Sequence, residues 1–414
     1  MQQHLFSHPP ECVLDVPTLK AQGLAEPSGP PPAVWLPDSV LRFLNYDFEK
    51  GTCRKHPNDV FIALAFAVLF IALRSYLYKN LFPVLAKRWH VPKAPGPRLK
   101  FSEQTWLLMC HTASFVGGVV LISGTPAESA LWGNWDGLKQ FWIGYPFNHR
   151  AILPVFKIYY LAILGYWLHH VFALGVEGVR WRMVQRMRAR GETNLPYAQN
   201  RSDFWPLALH HAVTVSLIIV SYVMNFTRGG LVVIVLLDVA DIFLPLAKIL
   251  KYAGHNTICD VAFAVFTILW VYTRHYVLGR VCVSIWYDTL TCIPAEAREW
   301  DPWVSESFWD MKVYWMFVIF FGTLQVLLVY WLAMIVKVVL KVVRGGAAED
   351  VRSDDEDEDE EPLINGPTPS TKNIASHATK DVKRVTKRAV AKAGVELRSG
   401  DWEAVKEGEF RRRR

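Results

Sequence analysis

Two pairs of ionisable side chains lie within consecutive apolar segments of this chain. His210 and His211 stand near the start of one segment, and Asp238 and Asp241 stand inside the next. An aspartate at the centre of a membrane span costs about 2.5–3.5 kcal/mol on insertion scales, and such residues are usually functional. Four such groups on neighbouring segments therefore mark the first candidate site.

The residue types narrow the chemistry of this candidate site. A neutral imidazole close to a carboxylate is a general base with a fixed tautomer, and a histidine can also carry an acyl group as a nucleophile. Imidazole and carboxylate groups also bind several divalent metal ions. The structural alternative is that the four groups only brace two helices by hydrogen bonds.

Helical geometry indicates how the two pairs could meet. Asp238 and Asp241 share a helix face because they are three residues apart. His210 and His211 point about 100° apart, so one can face the site while the other braces it. At 1.5 Å per residue, His210 lies roughly 6–8 Å past the start of its span, and Asp241 lies roughly 13 Å before the end of the next. We therefore expect both pairs in the cytosolic half of the membrane.

Other polar groups in the apolar segments favour more ordinary interpretations. His169 and His170 end another segment, and we interpret them as an interfacial pair, with pocket lining as the alternative. Arg274 and His275 are expected to form a structural ion or hydrogen-bond site on the opposite side of the membrane.

The turn between the two principal segments contains Asn225, Arg228, Gly229 and Gly230. We expect the glycines to supply a positive φ and to allow close approach of the two helices. Such a turn would hold the two segments as an antiparallel pair.

Composition identifies the environment of these groups. Hydrophobic residues make up 52% of the 414 residues, the mean hydropathy is +0.16, and the apolar residues are concentrated in blocks. Blocks of about 18 residues or more can cross a ~30 Å hydrocarbon layer. The sequence therefore predicts an all-α, polytopic transmembrane helical bundle. The net charge of +7 suits a membrane surface or a phosphate-bearing substrate rather than nucleic acid, because the basic residues lie beside the spans and in the tail.

Seven spans are predicted. They cover about 59–82, 105–123, 151–174, 206–225, 231–250, 257–285 and 313–340. Basic residues cluster after the first, third, fifth and seventh spans, which places those loops and the C-terminus in the cytosol by the positive-inside rule. The N-terminus is then luminal, and the N-terminal arm is where an eighth span could lie.

The spans divide the chain into four predicted regions. Residues 1–58 form a loosely structured arm with a short interfacial helix near 35–48, and residues 59–145 hold the first two spans and a basic cytosolic loop. A helical domain covers 146–344. Residues 345–414 form a disordered tail that is first acidic and then basic, since blocks of like charge solvate rather than pack. Ser353 precedes acidic residues and is a candidate phosphorylation site, and a plain solvating acidic run is the alternative.

The six cysteines show no metal-site spacing and no disulfide framework. We expect free thiols, with a Cys282–Cys292 bond as the alternative.

A set of residues between positions 201 and 252 resembles the Lag1 motif of ceramide synthases, in the TRAM-Lag1-CLN8 domain group. The matching residues are Arg201-Ser-Asp-Phe, His210-His211, Thr214, Leu217-Ile218, Ser221-Tyr222, Asn225, Arg228, Gly230, Asp238, Asp241, Leu244, Lys248 and Tyr252. The segment Tyr272–Tyr276 and the Ser/acidic tail resemble the fungal branch. Pro245 departs from a position that is often polar in the family, and it is expected to kink its helix.

The resemblance implies that 146–344 is a catalytic domain that N-acylates a sphingoid long-chain base with a fatty acyl-CoA in the endoplasmic reticulum membrane. His210, His211, Asp238 and Asp241 are then catalytic. One histidine, by our hypothesis His210, deprotonates the amine or first takes the acyl group, and the aspartates orient a histidine and offset its charge. Neither a metal nor another cofactor is needed. Membrane lipid, a small single-span accessory subunit and a second subunit in a homo- or hetero-dimer are the implied partners.

Basic residues at the cytosolic end of the candidate site could hold the phosphates of CoA. Arg201, Lys248 and Lys251 flank the site there and are candidate phosphate contacts. Asn225 and Tyr252 complete the predicted substrate-binding set.

Three other functions fit parts of the pattern. The first is a non-enzymatic member of the same domain group that acts in translocation or lipid sensing. The second is a proton-coupled transporter, for which internal repeats would be expected and none is evident. The third is a metal-dependent lipid hydrolase or desaturase, which would need further histidine clusters.

Overall fold

Seven long apolar helices make up most of the part of the chain that the structure describes, and they confirm the predicted all-α architecture with seven spans. The computed structural model describes residues 36–344, apart from 147–148, 193–194, 197, 199–202, 294 and 304–306. We number the helices spans 1 to 7: Asp59–Arg88, Gly96–Ile122, Pro154–Ala189, Phe204–Val223, Thr227–Tyr252, Asn256–Cys292 and Met311–Val343. The N-terminal part of the arm, where an eighth span could lie, and the predicted tail with Ser353 fall outside the described residues.

The last part of the predicted loose arm is ordered. The expected short helix is present at Asp38–Phe43, and short strands follow it. The strands are β1 (Tyr46–Asp47), β2 (Thr52–Arg54), β3 (Ala151–Ile152), β4 (Trp300–Asp301) and β5 (Ser307–Phe308). Antiparallel pairing in the order β1-β2-β3 joins the arm to the residues just before span 3. Leu44 and Cys53 are buried in an apolar cluster with residues of spans 1, 3 and 4.

Span 5 is the central helix of the bundle. It packs against span 2 on one side and span 6 on the other, while span 1 packs against span 3 and span 3 against span 4. The core residues Val232 and Ala240 of span 5 are fully buried, beside Phe266 of span 6 and Leu324 of span 7. The side chains of Asp238 and Asp241 therefore project from the helix with neighbours on several sides.

Small residues allow two of the close helix contacts. A Cβ on Gly165 would lie 2.7 Å from the Ala63 carbonyl of span 1. A Cβ on Gly230 would clash with the Tyr160 hydroxyl of span 3. The expectation that glycine supplies a positive φ in the turn before span 5 is wrong, because Asn225 carries it (φ 65°), and Gly230 already lies in the helix.

Spans 5 and 6 differ in their helical geometry. Span 5 continues as one helix from Thr227 to Tyr252 with Pro245 inside it. Span 6 contains a π-helical segment, Val271–Val277, between two α-helical segments. Such segments often occur at functional sites because they re-aim side chains along a helix, and this one carries Arg274.

A buried ionic network ties the ordered arm to the bundle. Lys157 is fully buried, and its Nζ donates to the carbonyls of Leu44 (2.9 Å) and Arg54 (2.7 Å). Its Nζ also lies 2.8 Å from Asp59 Oδ1, in an ion pair whose angle departs from that of a hydrogen bond. Tyr222 donates to Asp59 Oδ2 at 2.7 Å. Lysine is almost never fully buried without partners, and here three oxygens surround its ammonium group.

A second contact extends this arrangement to the turn before span 5. Lys55 Nζ donates to Asn225 Oδ1 at 2.7 Å and lies over the Tyr222 ring, 5.4 Å from its centre. We call Lys157, Asp59, Tyr222, Lys55 and Asn225 the Lys157 network. It lies at the end of spans 4 and 5 opposite to Lys248.

The prediction of free cysteines is wrong at one position. Cys292 is disulfide-bonded, and Cys282 is a free thiol and so is not its partner. Cys53, Cys110 and Cys259 are also free. Burial raises the pKa of the Cys53 thiol, in strand β2, to about 11.

Candidate active site

Four histidines of spans 3 and 4 form a continuous row of rings. The ring centres of His169 and His170 are 4.9 Å apart, those of His170 and His211 are 5.9 Å apart, and those of His211 and His210 are 5.8 Å apart. We call these four residues the histidine row. The structure thus brings the predicted catalytic pair together with the pair that we interpreted as interfacial.

The packing of span 3 shows how this pair is surrounded. His169 is only 2% exposed, and the helix of span 3 continues to Ala189 rather than ending near residue 174. His169 is thus covered by neighbouring side chains, and His170 is partly covered. Pocket lining, the alternative that the sequence left open, matches the observed position.

Tryptophans frame the row at several points. The Trp167 ring packs against both histidines of span 4, 5.6 Å from His210 and 5.4 Å from His211. Trp331 of span 7 lies 5.3 Å from His210, and Trp106 of span 2 lies 5.6 Å from His169. The histidines of the row therefore have large apolar rings as neighbours on spans 2, 3 and 7.

One histidine of the predicted pair is anchored to the backbone. His211 Nδ1 lies 2.8 Å from the Leu207 carbonyl. A carbonyl oxygen only accepts, so Nδ1 must carry the hydrogen, and the ring's lone pair is then on Nε2. His211 therefore has a fixed orientation and tautomer, as expected for the member of the pair that braces the other.

Asp238 has partners that the sequence did not predict. Its Oδ1 lies 2.8 Å from Nδ1 of His111 in span 2, and its Oδ2 accepts a short hydrogen bond from the Ser114 hydroxyl. Tyr159 of span 3 donates to the Ser114 carbonyl at 2.9 Å. We expected Asp238 to orient a histidine of span 4, but it orients His111 instead.

Asp241 is paired with a cation of span 6. A terminal nitrogen of Arg274 lies 2.8 Å from Asp241 Oδ1 and donates to the Leu237 carbonyl at 2.8 Å. The guanidinium also lies over the Trp270 ring, 4.2 Å from its centre. The predicted ion site at Arg274 is present, but its expected place on the opposite side of the membrane from the candidate site is wrong, because its guanidinium binds Asp241, one of the two predicted catalytic aspartates.

Span 3 connects the aspartates to the histidine row. The Tyr166 hydroxyl lies 3.4 Å from His111 Nε2, and the Tyr166 ring centre lies 4.4 Å from that of His170. His170 in turn lies beside His211. The sequence placed the two pairs side by side, whereas the structure connects Asp238 to His211 through His111, Tyr166 and His170.

His111 has the same sequence signal as His210, although it was not among the predicted site residues. It is an ionisable residue within an apolar span, and such residues are usually functional. Ser114 and Tyr166 have no such marker, since hydroxyl groups are common in membrane helices.

Several ring nitrogens in and beside the row have no hydrogen-bond partner in the part of the chain that the structure describes. They are His169 Nδ1 and Nε2, His170 Nε2, His210 Nδ1, Trp106 Nε1 and Trp331 Nε1. A buried polar group without a partner costs about 1–3 kcal/mol, so this concentration distinguishes the row from an ordinary packed core.

The other predicted site residues lie in different parts of the molecule. Arg201 falls outside the described residues. Lys248 and Lys251 are half-buried at one end of span 5, and Tyr252 packs against an apolar cluster formed by residues of spans 1, 2 and 5. Asn225 lies in the Lys157 network at the opposite end, where it is 3% exposed. Its contacts support a structural role.

The arrangement of possible ligands bears on the metal-dependent alternative. Among the described residues, no group of three or more His, Cys, Asp or Glu side chains is placed to hold a metal ion. The geometry therefore gives that alternative no support.

Comparison with known proteins identifies the family. Residues 100–337 match the TLC domain, a region that includes most of span 2, with His111, and most of the predicted domain 146–344. The chain is 31% identical over 320 residues to sphingosine N-acyltransferase lag1 of Schizosaccharomyces pombe, covering 77% of this chain and 73% of the relative.

Two further fungal relatives agree with this match. A ceramide synthase of Gibberella moniliformis is 29% identical, covering 74% of this chain and 70% of the relative. A sphingosine N-acyltransferase-like protein of Alternaria alternata is 31% identical, covering 75% and 71%. The chain therefore belongs to the TLC-domain family and, within it, to the ceramide synthases, also called sphingosine N-acyltransferases.

Proposed function

We propose that this protein transfers a fatty acyl group from acyl-CoA to the amine of a sphingoid base and so makes ceramide. The observation that carries the proposal is the histidine row, an enclosed group of imidazoles inside the spans of a ceramide synthase. Acyl transfer needs a group that accepts a proton or an acyl group, and a neutral imidazole does either.

In the overall reaction one bond forms and one bond breaks at the acyl carbon, and one proton moves from the amine to the thiolate. The amine nitrogen bonds to the thioester carbonyl carbon, the carbon–sulfur bond breaks, and CoA leaves as a thiolate. A histidine accepts the proton from the amine and returns it to the thiolate. In the covalent route the imidazole nitrogen takes the acyl group first, and the imidazole gives its N–H proton to the leaving CoA thiolate. The amine then displaces the imidazole, which takes up the proton that the amine loses.

His210 is the better candidate for the reacting histidine. Its Nδ1 is buried without a partner in the described part of the chain, so that nitrogen is available to a substrate. His211 is anchored to Leu207 and serves as the brace. This division of roles rests on the unpartnered nitrogen of His210 and on the backbone contact of His211.

The aspartates contact other residues, and we propose that they influence the reacting ring indirectly. Asp238 holds His111, and Asp241 is compensated by Arg274. We propose that their negative charge offsets the positive charge that develops on the row, with His111, Tyr166 and His170 between them. The aspartates are therefore positioning residues.

The CoA portion is proposed to bind at the end of span 5 that carries Lys248 and Lys251. A lysine ammonium group binds phosphate as a compact positive charge, and both side chains are only half-buried. Arg201 stays a predicted contribution to the same site.

Purified full-length protein tests the proposed reaction directly. We expect N-acylated product, detected by mass spectrometry, when sphinganine and a panel of acyl-CoAs are supplied together, and none when either substrate is omitted. Absence of product with every acyl-CoA would favour the non-enzymatic or transporter alternatives.

The route is tested by intact-protein mass spectrometry after exposure to acyl-CoA alone. A mass increase equal to one acyl group supports the covalent route. An unmodified mass in a preparation that is active with both substrates supports direct transfer.

We also propose the endoplasmic reticulum membrane as the location, with the C-terminus in the cytosol. The basic loops after spans 1, 3, 5 and 7 support this orientation by the positive-inside rule. Protease accessibility of a C-terminal tag in sealed microsomes tests it, since a protected tag would reverse the orientation. The single-span accessory subunit and dimer formation stay proposals, testable by crosslinking in the native membrane.

A further inference from the structure

The unpartnered nitrogens of the histidine row extend well beyond the reacting pair. Acyl transfer as proposed uses His210 and its brace, yet neither ring nitrogen of His169 makes a well-formed hydrogen bond within the described part of the chain, and the residue is 2% exposed. Trp106 is fully buried and its Nε1 is also without a partner. The known chemistry of the reaction does not account for these groups.

The positions of these groups define a wall beside the reacting pair. The Trp106 and His169 rings are 5.6 Å apart, His169 and His170 are 4.9 Å apart, and His170 lies 5.9 Å from His211. The wall therefore continues directly to His211 and His210, so a molecule that binds to the wall lies close to these two residues. The apolar rings of Phe70 and Tyr166 pack against His169 and close the sides of the wall.

The donors and acceptors of the wall indicate the ligand. An indole N–H only donates, whereas a neutral imidazole offers one donor and one acceptor. A thioester carbonyl only accepts, so it would leave the imidazole acceptors without partners. An amino alcohol both donates and accepts at adjacent atoms, and it can therefore satisfy the whole wall.

We infer that Trp106, His169 and His170 bind the amino-alcohol headgroup of the sphingoid base and position its amine toward His210. The inference rests on the proposed function and adds a substrate-binding site on spans 2 and 3. The hydrocarbon chain of the base would then extend along the apolar surface of the spans.

Steady-state kinetics of the purified full-length protein test the inference. His169→Leu removes both nitrogens, and Trp106→Phe removes only the N–H. Each variant should raise KM for sphinganine about five- to tenfold, the factor that corresponds to a lost hydrogen bond of ~1–1.4 kcal/mol. KM for acyl-CoA should not change. For the analogue of sphinganine that lacks the C1 hydroxyl, the two variants should raise KM by a smaller factor, because the analogue makes fewer hydrogen bonds to the wall.

Two further variants distinguish binding from folding. His169→Gln keeps a donor and an acceptor and should recover part of the affinity for sphinganine. Trp309→Phe removes another buried indole N–H without a partner, far from the row in sequence, and should leave both KM values unchanged. If His169→Leu does not fold, the comparison of Trp106→Phe with its control Trp309→Phe is sufficient to test the inference.

The outcomes separate this inference from the proposed function. A parent protein without N-acyltransferase activity would contradict the proposed function itself. An active parent whose variants raise KM for acyl-CoA instead would assign the wall to the thioester. Unchanged KM values in both variants, or equal losses with all bases and no recovery in His169→Gln, would overturn the inference while leaving the reaction in place.

Discussion

The Lys157 network and the histidine row are two buried polar clusters that differ in how completely their groups are bonded. Lys157 has three oxygen neighbours within 2.9 Å, and Tyr222 and Lys55 complete the contacts of Asp59 and Asn225. In the row, four imidazole nitrogens have no partner among the described residues.

The comparison separates structural polar groups from groups prepared for a ligand. Removing one partner from a satisfied cluster leaves a buried charge and destabilises the fold. Removing an unpartnered nitrogen from the row breaks no hydrogen bond within the described part of the chain, so its cost appears mainly in substrate binding or catalysis. Variants of the two clusters should therefore affect different measurements.

The largest effect is expected at Lys157. Lys157→Met would leave the Asp59 carboxylate buried beside an apolar group, and it should destabilise the protein by about 3–5 kcal/mol. The measurement is the Tm of the purified protein in one detergent, with activity expressed per folded molecule. The double variant Lys157→Met/Asp59→Leu should recover part of the stability. An unchanged Tm in the single variant would remove the contrast between the clusters.

A smaller effect is expected where an aspartate supports the row. Asp238→Asn weakens the contact with His111 and should lower kcat about 10²-fold, within the range for a group that assists acid–base catalysis. His111→Phe should lower kcat similarly, and the double variant should lose little more, because residues that act as one unit are not additive. Additive losses would show that the two residues act independently.

The state of the arm can be followed through one thiol. Cys53 is fully buried, and a raised pKa of about 11 keeps it protonated at neutral pH, where its thiolate fraction is about 10²-fold below that of a thiol at the reference value of 9.0. Maleimide should therefore label Cys53 slowly in the parent protein. Labelling should become faster in Lys157→Met and stay slow in His210→Ala, as judged by peptide mass spectrometry. Fast labelling in the parent would mean that the arm is loosely held.

The smallest effect is expected at the lysines of span 5. Lys248→Gln and Lys251→Gln should each raise KM for acyl-CoA two- to fivefold, because a half-exposed charge contributes up to about 1 kcal/mol. The effect should shrink as salt is added, since salt screens exposed charges. KM for the sphingoid base should not change, and a change there would contradict the assignment of the CoA phosphates to this end.

The sequence was sufficient to predict the spans, because a run of apolar residues is a local property. It also identified His210, His211, Asp238 and Asp241 as unusual. It did not predict the partners of the aspartates, because His111 and Arg274 lie on spans 2 and 6, and helix periodicity defines the faces of one helix but not its neighbours. It left the surroundings of His169 open between the interface and a pocket, because the side chains that cover His169 include Phe70 and Trp106 of spans 1 and 2.

The rate of ceramide formation by His210→Ala tests the central claim most directly. The measurement compares parent, His210→Ala and His255→Ala in the same lipid nanodiscs, where His255 is an exposed histidine at the start of span 6. We predict that His210→Ala remains folded but loses activity by a factor of about 10²–10⁴, while His255→Ala keeps the parental rate. A folded His210→Ala protein with the parental rate would contradict the claim that the histidine row carries out acyl transfer.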